Sequence, residues 1–134
     1  MAYWLMKSEP DAFSWQKFVK DGKAHWDGVR NYQAANNMKA MTKGDLAFFY
    51  HSNIGMEIVG IMKITKEAHP DPSDASARFV MVDVKPLKEL KKTVTLKDIK
   101  ADAILMGMAL VKQSRLSVSP VTEKEWKRVL ELSA

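Results

Sequence analysis

The sequence predicts a mixed α/β (α+β) domain: about five or six mainly antiparallel strands in a strongly curved, partly closed or barrel-like sheet, with peripheral helices. Three observations carry this reading. Two strand-like runs, Asp45–Tyr50 (DLAFFY) and Glu57–Lys66 (EIVGIMKITK), flank the short polar stretch His51–Gly55, which is the pattern of a hairpin. Arg78–Lys85 (RFVMVDVK) alternates apolar and polar side chains as a half-buried strand does. Helix signals, by contrast, gather near the two ends of the chain.

The elements follow in order. Ala2–Lys7 (AYWLMK) is apolar and aromatic and stops at Ser8-Glu9-Pro10, so a buried strand ending in a turn is expected. Ser14 is placed to cap a helix whose Phe13 and Phe18 form a hydrophobic staple, with Gly22 closing its C-terminus. Residues 23–30 (KAHWDGVR) have no clear period and read as a loop. From Asn31, apolar residues at Ala34, Ala35, Met38 and Met41 predict a helix ending before Lys43-Gly44. After the hairpin, Ala68–Ala77 is a long polar loop in which turn formation accounts for Asp71 and Asp74. Lys85–Lys100, with six lysines and two acids, reads as solvated loop and a short helix capped by Thr95. A last strand is expected near Arg115–Val121, followed by a helix behind the Thr122/Glu125 capping box.

Length and composition narrow the function classes. The 134 residues fit one domain, 1–134, and 46% hydrophobic with 28% charged residues is ordinary globular composition. The absence of cysteine excludes a disulfide scaffold, a thiol nucleophile and a cysteine-based zinc site. No stretch reaches the roughly 18 apolar residues of a membrane span. Lys7, Glu9 and Asp11 interrupt the N-terminus before a signal peptide could develop. A cytoplasmic monomer with no membrane partner is therefore expected. A net charge of +5 suits a polyanionic partner without selecting one.

Catalytic signatures are absent from the linear sequence. His25, His51 and His69 lie in no nucleophile motif and lack metal-ligand spacing, so no cofactor, metal or catalytic residue is expected. The competing enzymatic reading would use His51 with Asp27 or Glu9. Binding residues are easier to find. Ten of the twelve aromatic residues lie within the first 50 positions. Trp4, Trp15 and Trp126 fall in predicted strands or helices and read as core. Trp26 sits in a polar, glycine-containing stretch, WDGVRNYQ, beside a guanidinium and two amides. Together with Lys7-Ser8-Glu9 and Tyr50-His51-Ser52-Asn53 it offers stacking faces, short hydrogen-bonding groups and cations, the parts that hold an unstacked base.

The motifs YWLMKSEPDAFSW, WDGVRNYQAANNM, GDLAFFYHS, IVGIMKI and LVKQSRLSVSPVTEKEW resemble, in that order, those of the EVE domain family, over nearly the whole chain. The chain resembles a stand-alone bacterial member. The resemblance implies a PUA-like fold related to YTH and ASCH domains, and a non-catalytic reader of modified bases. Its implied ligands are 5-methyl- or 5-hydroxymethylcytosine in DNA, or a modified RNA, with binding to structured RNA irrespective of modification as the alternative. Carried over by motif, Trp26 would wall the base pocket and Lys7 and Ser8 would line its rim. Arg30, Asn31 and Tyr32 would supply phosphate and base-edge contacts. Tyr50, His51 and Ser52 would form the opposite side, and Ser114, Arg115 and Leu116 would close the site.

Overall fold

Side chains alternate across a strand, so a strand without polar alternation must be covered on both faces. That is the situation of DLAFFY. In the computed structural model, which describes residues 1–134, this run forms β3 (Leu46–His51) inside a six-stranded sheet. Ala47 and Phe49 enter one core while Phe48 and Tyr50 enter another. Strand β1 (Tyr3–Ser8) pairs in parallel with β3, from Tyr3 opposite Leu46 to Ser8 opposite His51. The remaining strands are β2 (Ala24–Trp26), β4 (Glu57–Pro70), β5 (Val80–Thr95) and β6 (Val118–Val121). Their order is β2-β5-β4-β3-β1-β6, and every pair except β1–β3 is antiparallel.

Five helices complete the fold: α1 (Trp15–Asp21), α2 (Tyr32–Lys39), α3 (Leu96–Ala101), α4 (Ala109–Lys112) and α5 (Glu123–Leu132). Helix α2 lies against β6, β5 and β4, so it bridges the two ends of the sheet and the sheet curves around it. The inner core combines Trp4, Met6, Phe49, Met62 and Val82 with Trp15 and Phe18 of α1 and Ala34 and Met38 of α2. The outer core sets Leu5, Phe48, Ile58 and Ile61 against Ile99, Leu110, Trp126 and Val129. Trp126 stacks on Phe48 with centroids 3.8 Å apart and on Tyr3 at 4.5 Å. The expected curvature is present, but α2 rather than a strand pair spans the opening. No helix is long and apolar enough to cross a membrane.

Local signals are realised closely. Ser14 Oγ accepts from Lys17 N at 3.1 Å, Gly22 adopts φ 77°, and its N–H donates to Phe18 O. Thr95 and Thr122 both close capping boxes. Three expectations need correction. Residues 23–30 are not all loop, because 24–26 form the edge strand β2. The lysine-rich run is strand as far as Thr95: Leu90 and Val94 are buried in the outer core while Lys85, Lys88, Lys91 and Lys92 stay exposed. Several register shifts between β4 and β5 break the two-residue period that would have marked it. Strand β4 runs on to Pro70, so the first residues of the stretch Ala68–Ala77 are strand rather than loop.

One close approach depends on glycine. Gly60 lies where β4 crosses under α1, and a Cβ there would overlap Cη2, Cζ2 and Cζ3 of Trp15. That indole is 2% exposed and donates Nε1–H to Glu89 at 3.0 Å, so it has no room to retreat. Gly60→Ala is expected to cost about 1–3 kcal/mol through overpacking, measured as a lower denaturation midpoint with an unchanged m-value.

Candidate functional site

The end of β1, the turn into α1 and strand β2 enclose a cavity of about 520 Å³. Lys7, Ser8 and Glu9 line one side; Phe13, His25, Trp26, Asp27 and Gly28 line the rest. Ala24 and Trp26 alternate inward from β2, with Trp26 opposite Val82, which gives this tryptophan the core face that a loop would deny it. Its ring meets Phe13 edge-on at 6.4 Å and Phe49 at 5.6 Å and is only 8% exposed. Trp26 is thus both core and cavity wall.

A buried carboxylate holds the following loop. Asp71 Oδ2 accepts from Gly28 N at 2.9 Å and Arg30 Nη1 at 3.1 Å. Its Oδ1 accepts from Ser73 N and Ser73 Oγ. Burial alone would raise the Asp71 pKa, but these hydrogen bonds outweigh it and hold the group at about 2. Turn formation therefore explains Asp74, which accepts from Ser76, Arg78 and Phe79, and the Ser73 contacts of Asp71 Oδ1, but not the long-range contacts of Asp71 Oδ2. Arg30 is engaged here: Nη2 also donates to Ser73 Oγ at 3.0 Å, and the guanidinium lies 5.5 Å from the Phe79 ring centre. Exposed Tyr32 packs on the same ring at 5.0 Å.

A second, shallower groove of about 320 Å³ contains Asn31, Gln33, Lys112, Gln113, Ser114, Arg115 and Leu116. Lys7 links it to the cavity, donating Nζ–H to Ser114 O at 2.7 Å, and burial pulls the Lys7 pKa below its usual value. Asn31 caps α2 by accepting from Ala34 N, and Leu116 is buried in the inner core. Lys112 and Arg115 are exposed.

Consecutive strand residues point to opposite faces, so Tyr50 and His51 separate. Tyr50 enters the outer core, where burial lifts its pKa to about 12. His51 Nε2 accepts the Trp15 N–H at 3.1 Å, satisfying a donor that the first turn of α1 leaves unpaired. That bond requires a ring neutral at Nε2, and burial lowers the His51 pKa against the opposing pull of Glu57. His51 does not border the cavity. Ser52 N donates to Ser8 O at 2.9 Å and ties the strand ends together.

The structure thus gathers Lys7, Ser8 and Trp26 in one cavity. It sets Asn31, Ser114, Arg115 and Leu116 in the adjoining groove, and turns Arg30 and Tyr32 onto the 71–79 loop. Sequence reasoning missed Phe13 and His25 in the cavity wall and Lys112 in the groove. It also missed that His25 Nδ1 and His69 Nε2 both meet Asp83 Oδ1, at 2.7 and 2.9 Å. Burial raises the Asp83 pKa, but the two imidazoles reverse this and leave it lowered.

Comparison with known proteins places this geometry in context. The EVE domain family model matches residues 2–132. Human thymocyte nuclear protein 1 is 38% identical over 98% of this chain and 73% of its own length. A solved structure of a Rhodopseudomonas palustris protein is 55% identical and superposes with a TM-score of 0.94, covering 99% of this chain and 93% of that one. Human thymocyte nuclear protein 1 in complex with 5-methylcytosine-containing DNA superposes with a TM-score of 0.91 at 36% identity, covering 99% and 98%. A Zygosaccharomyces rouxii YTH domain shares the fold at a TM-score of 0.62 and 14% identity, covering 98% of this chain and 86% of that one.

Two measurements test the site's internal supports. Asp71→Ala removes the acceptor of Gly28 and Arg30 and is expected to lower stability by about 2–3 kcal/mol in chemical denaturation. It should also speed amide exchange at residues 27–31. For His51, the unfolded state takes up protons more readily than the folded one. Stability from this group is therefore full above pH 6.5 and declines as pH falls below it. His51→Gln keeps an acceptor for Trp15 and should flatten the fall in melting temperature between neutral and mildly acidic pH.

Proposed function

Because the chain belongs to the EVE domain family, we propose that it binds nucleic acid and reads a modified base, without catalysing a reaction. The cavity formed by Phe13 and Trp26 under a rim of Lys7 and Ser8 carries this reading, since its volume of about 520 Å³ suits a small planar ligand. The complex of human thymocyte nuclear protein 1 with 5-methylcytosine-containing DNA supports a modified cytosine as the first ligand to try. A base displaced from its stack packs against Trp26 and Phe13. Its polar edge meets Ser8 and the Lys7 side of the rim. Flipping costs a few kcal/mol, least where the base is already unpaired.

The backbone is held in the adjoining groove. Arg30 is committed to Asp71, so exposed Arg115 and Lys112 supply the phosphate contacts. The rim itself is electrically mixed, with Glu9 and Asp27 beside Lys7 and His25, which keeps phosphates out of the cavity and leaves it to the base. The non-catalytic reading draws support from His51. Its Nε2 is occupied by the Trp15 N–H, whereas Asp27 and Glu9 lie at the cavity.

Fluorescence anisotropy with oligonucleotides that differ only in cytosine modification tests the proposal. One methyl group in an apolar site is worth about 1–3 kcal/mol, so preference for the modified strand should be tenfold or somewhat more. Base stacking contributes roughly 1–3 kcal/mol. Because Trp26 is largely buried, Trp26→Ala should lose about the lower end of that range, five- to tenfold, and mainly on the modified strand. Arg115→Ala should weaken all oligonucleotides alike and reduce the salt slope by about one. Equal affinity for modified and unmodified DNA, with tighter binding to folded RNA, would replace modification reading by recognition of RNA shape.

A further inference from the structure

His25, His69 and Asp83 come from strands β2, β4 and β5 respectively, which lie side by side in the sheet, and the base-binding reading uses none of their mutual contacts. His25 stands directly across from Asp83 in the β2–β5 ladder. Since Trp26, Val82 and Val84 belong to the inner core and Ala24 packs against it, His25 and Asp83 project from the opposite face of the sheet edge. His69, near the end of β4, pairs with Met81 and reaches the same carboxylate oxygen. The ligand-capable atoms of the three side chains all lie within 4.8 Å of one another. The His25 side chain is 66% exposed, while those of His69 and Asp83 are 19% and 21% exposed.

We propose that His25, His69 and Asp83 bind one divalent transition-metal ion of the zinc class. Two imidazole nitrogens and a carboxylate oxygen suit such borderline ions; calcium and magnesium prefer oxygen alone. Three protein ligands leave a fourth position for water. A tetrahedral ion with bonds of about 2.0–2.1 Å sets its ligands about 3.3 Å apart. The 2.7 and 2.9 Å contacts therefore open by about half an ångström on binding, and the two imidazole nitrogens, within 4.8 Å of each other, come to the same spacing, which side-chain rotations at a sheet edge allow. Structural need does not account for the arrangement, because a hydrogen bond from an imidazole as exposed as that of His25 adds little stability. Its exposure instead gives the ion a path in. The two partly sheltered ligands hold the ion's other side. The ion requires both imidazole nitrogens free of protons, so protons compete with it and binding weakens on acidification.

The test uses untagged protein freed of metal with a chelator and then dialysed, titrated with Zn²⁺ by calorimetry and with Co²⁺ by visible absorption at pH 7.5. One saturable equivalent is expected, together with cobalt ligand-field bands and at least a tenfold loss of affinity at pH 5.5. His25→Ala and His69→Ala should each weaken binding tenfold or more, and His51→Gln should leave it unchanged. Zn²⁺ at 100-fold excess over its Kd should raise the wild-type melting temperature by roughly 5 °C or more, and that of His25→Ala much less. Because His25 is exposed, its variant keeps the fold even if His69→Ala does not. No saturable binding by wild type, or equal affinity in wild type and His25→Ala, would overturn the proposal. The titration involves no nucleic acid, so its outcome is independent of base reading.

Discussion

The parallel pairing of β1 with β3 is the constraint on which the site depends. Antiparallel neighbours can be joined by a tight turn, but parallel neighbours need a crossover that carries the chain back to the same end of the sheet. Here the crossover runs from Glu9 to Asp45 and contains α1, β2, the Gly28 turn and α2. Phe13, His25, Trp26 and Asp27 therefore all come from the connection between two adjacent strands. The register brings Ser8 beside His51, so both strand ends meet beneath α1. The cavity opens where the chain leaves β1.

Polar groups in this region divide into those that build the site and those that remain available. Asp71, Arg30, Asn31 and His51 are builders: each meets a backbone group of the crossover or its flanking loop. A buried carboxylate that accepts four hydrogen bonds is a rigid anchor, which is what a loop with a positive-φ glycine needs. The exposed cations Lys112 and Arg115 sit in the neighbouring groove, and Lys7 joins the two concavities. The net charge of +5 says less about binding than this distribution does. The lysines of β5 are ordinary solvent-facing strand positions.

Much of the fold was legible in the sequence because its signals are local. Ser14, Thr95 and Thr122 cap helices through bonds spanning three residues, and Gly22 terminates α1 through its own backbone. The run DLAFFY announced a strand. Part of the site was legible too: Lys7 and Ser8 at a strand end, and Trp26 in a stretch rich in polar groups. The family resemblance joined these to the groove residues Ser114, Arg115 and Leu116.

What only tertiary structure decided lies in long-range pairings. Strand β2 is three residues long and exists because β5 accepts it, so His25 finds Asp83 at a distance of 58 positions along the chain. Asp71 reaches Gly28 across 43 positions. No period or composition within 23–30 encodes either contact. By itself the sequence determined the class of fold, its capped helices and the residues able to stack on a base, because burial and capping are governed by near neighbours. The three-dimensional fold decided which of those residues share a cavity, which are spent on holding it open, and where two histidines meet one carboxylate. Strand register and the crossover set those distances, and both are properties of the whole sheet.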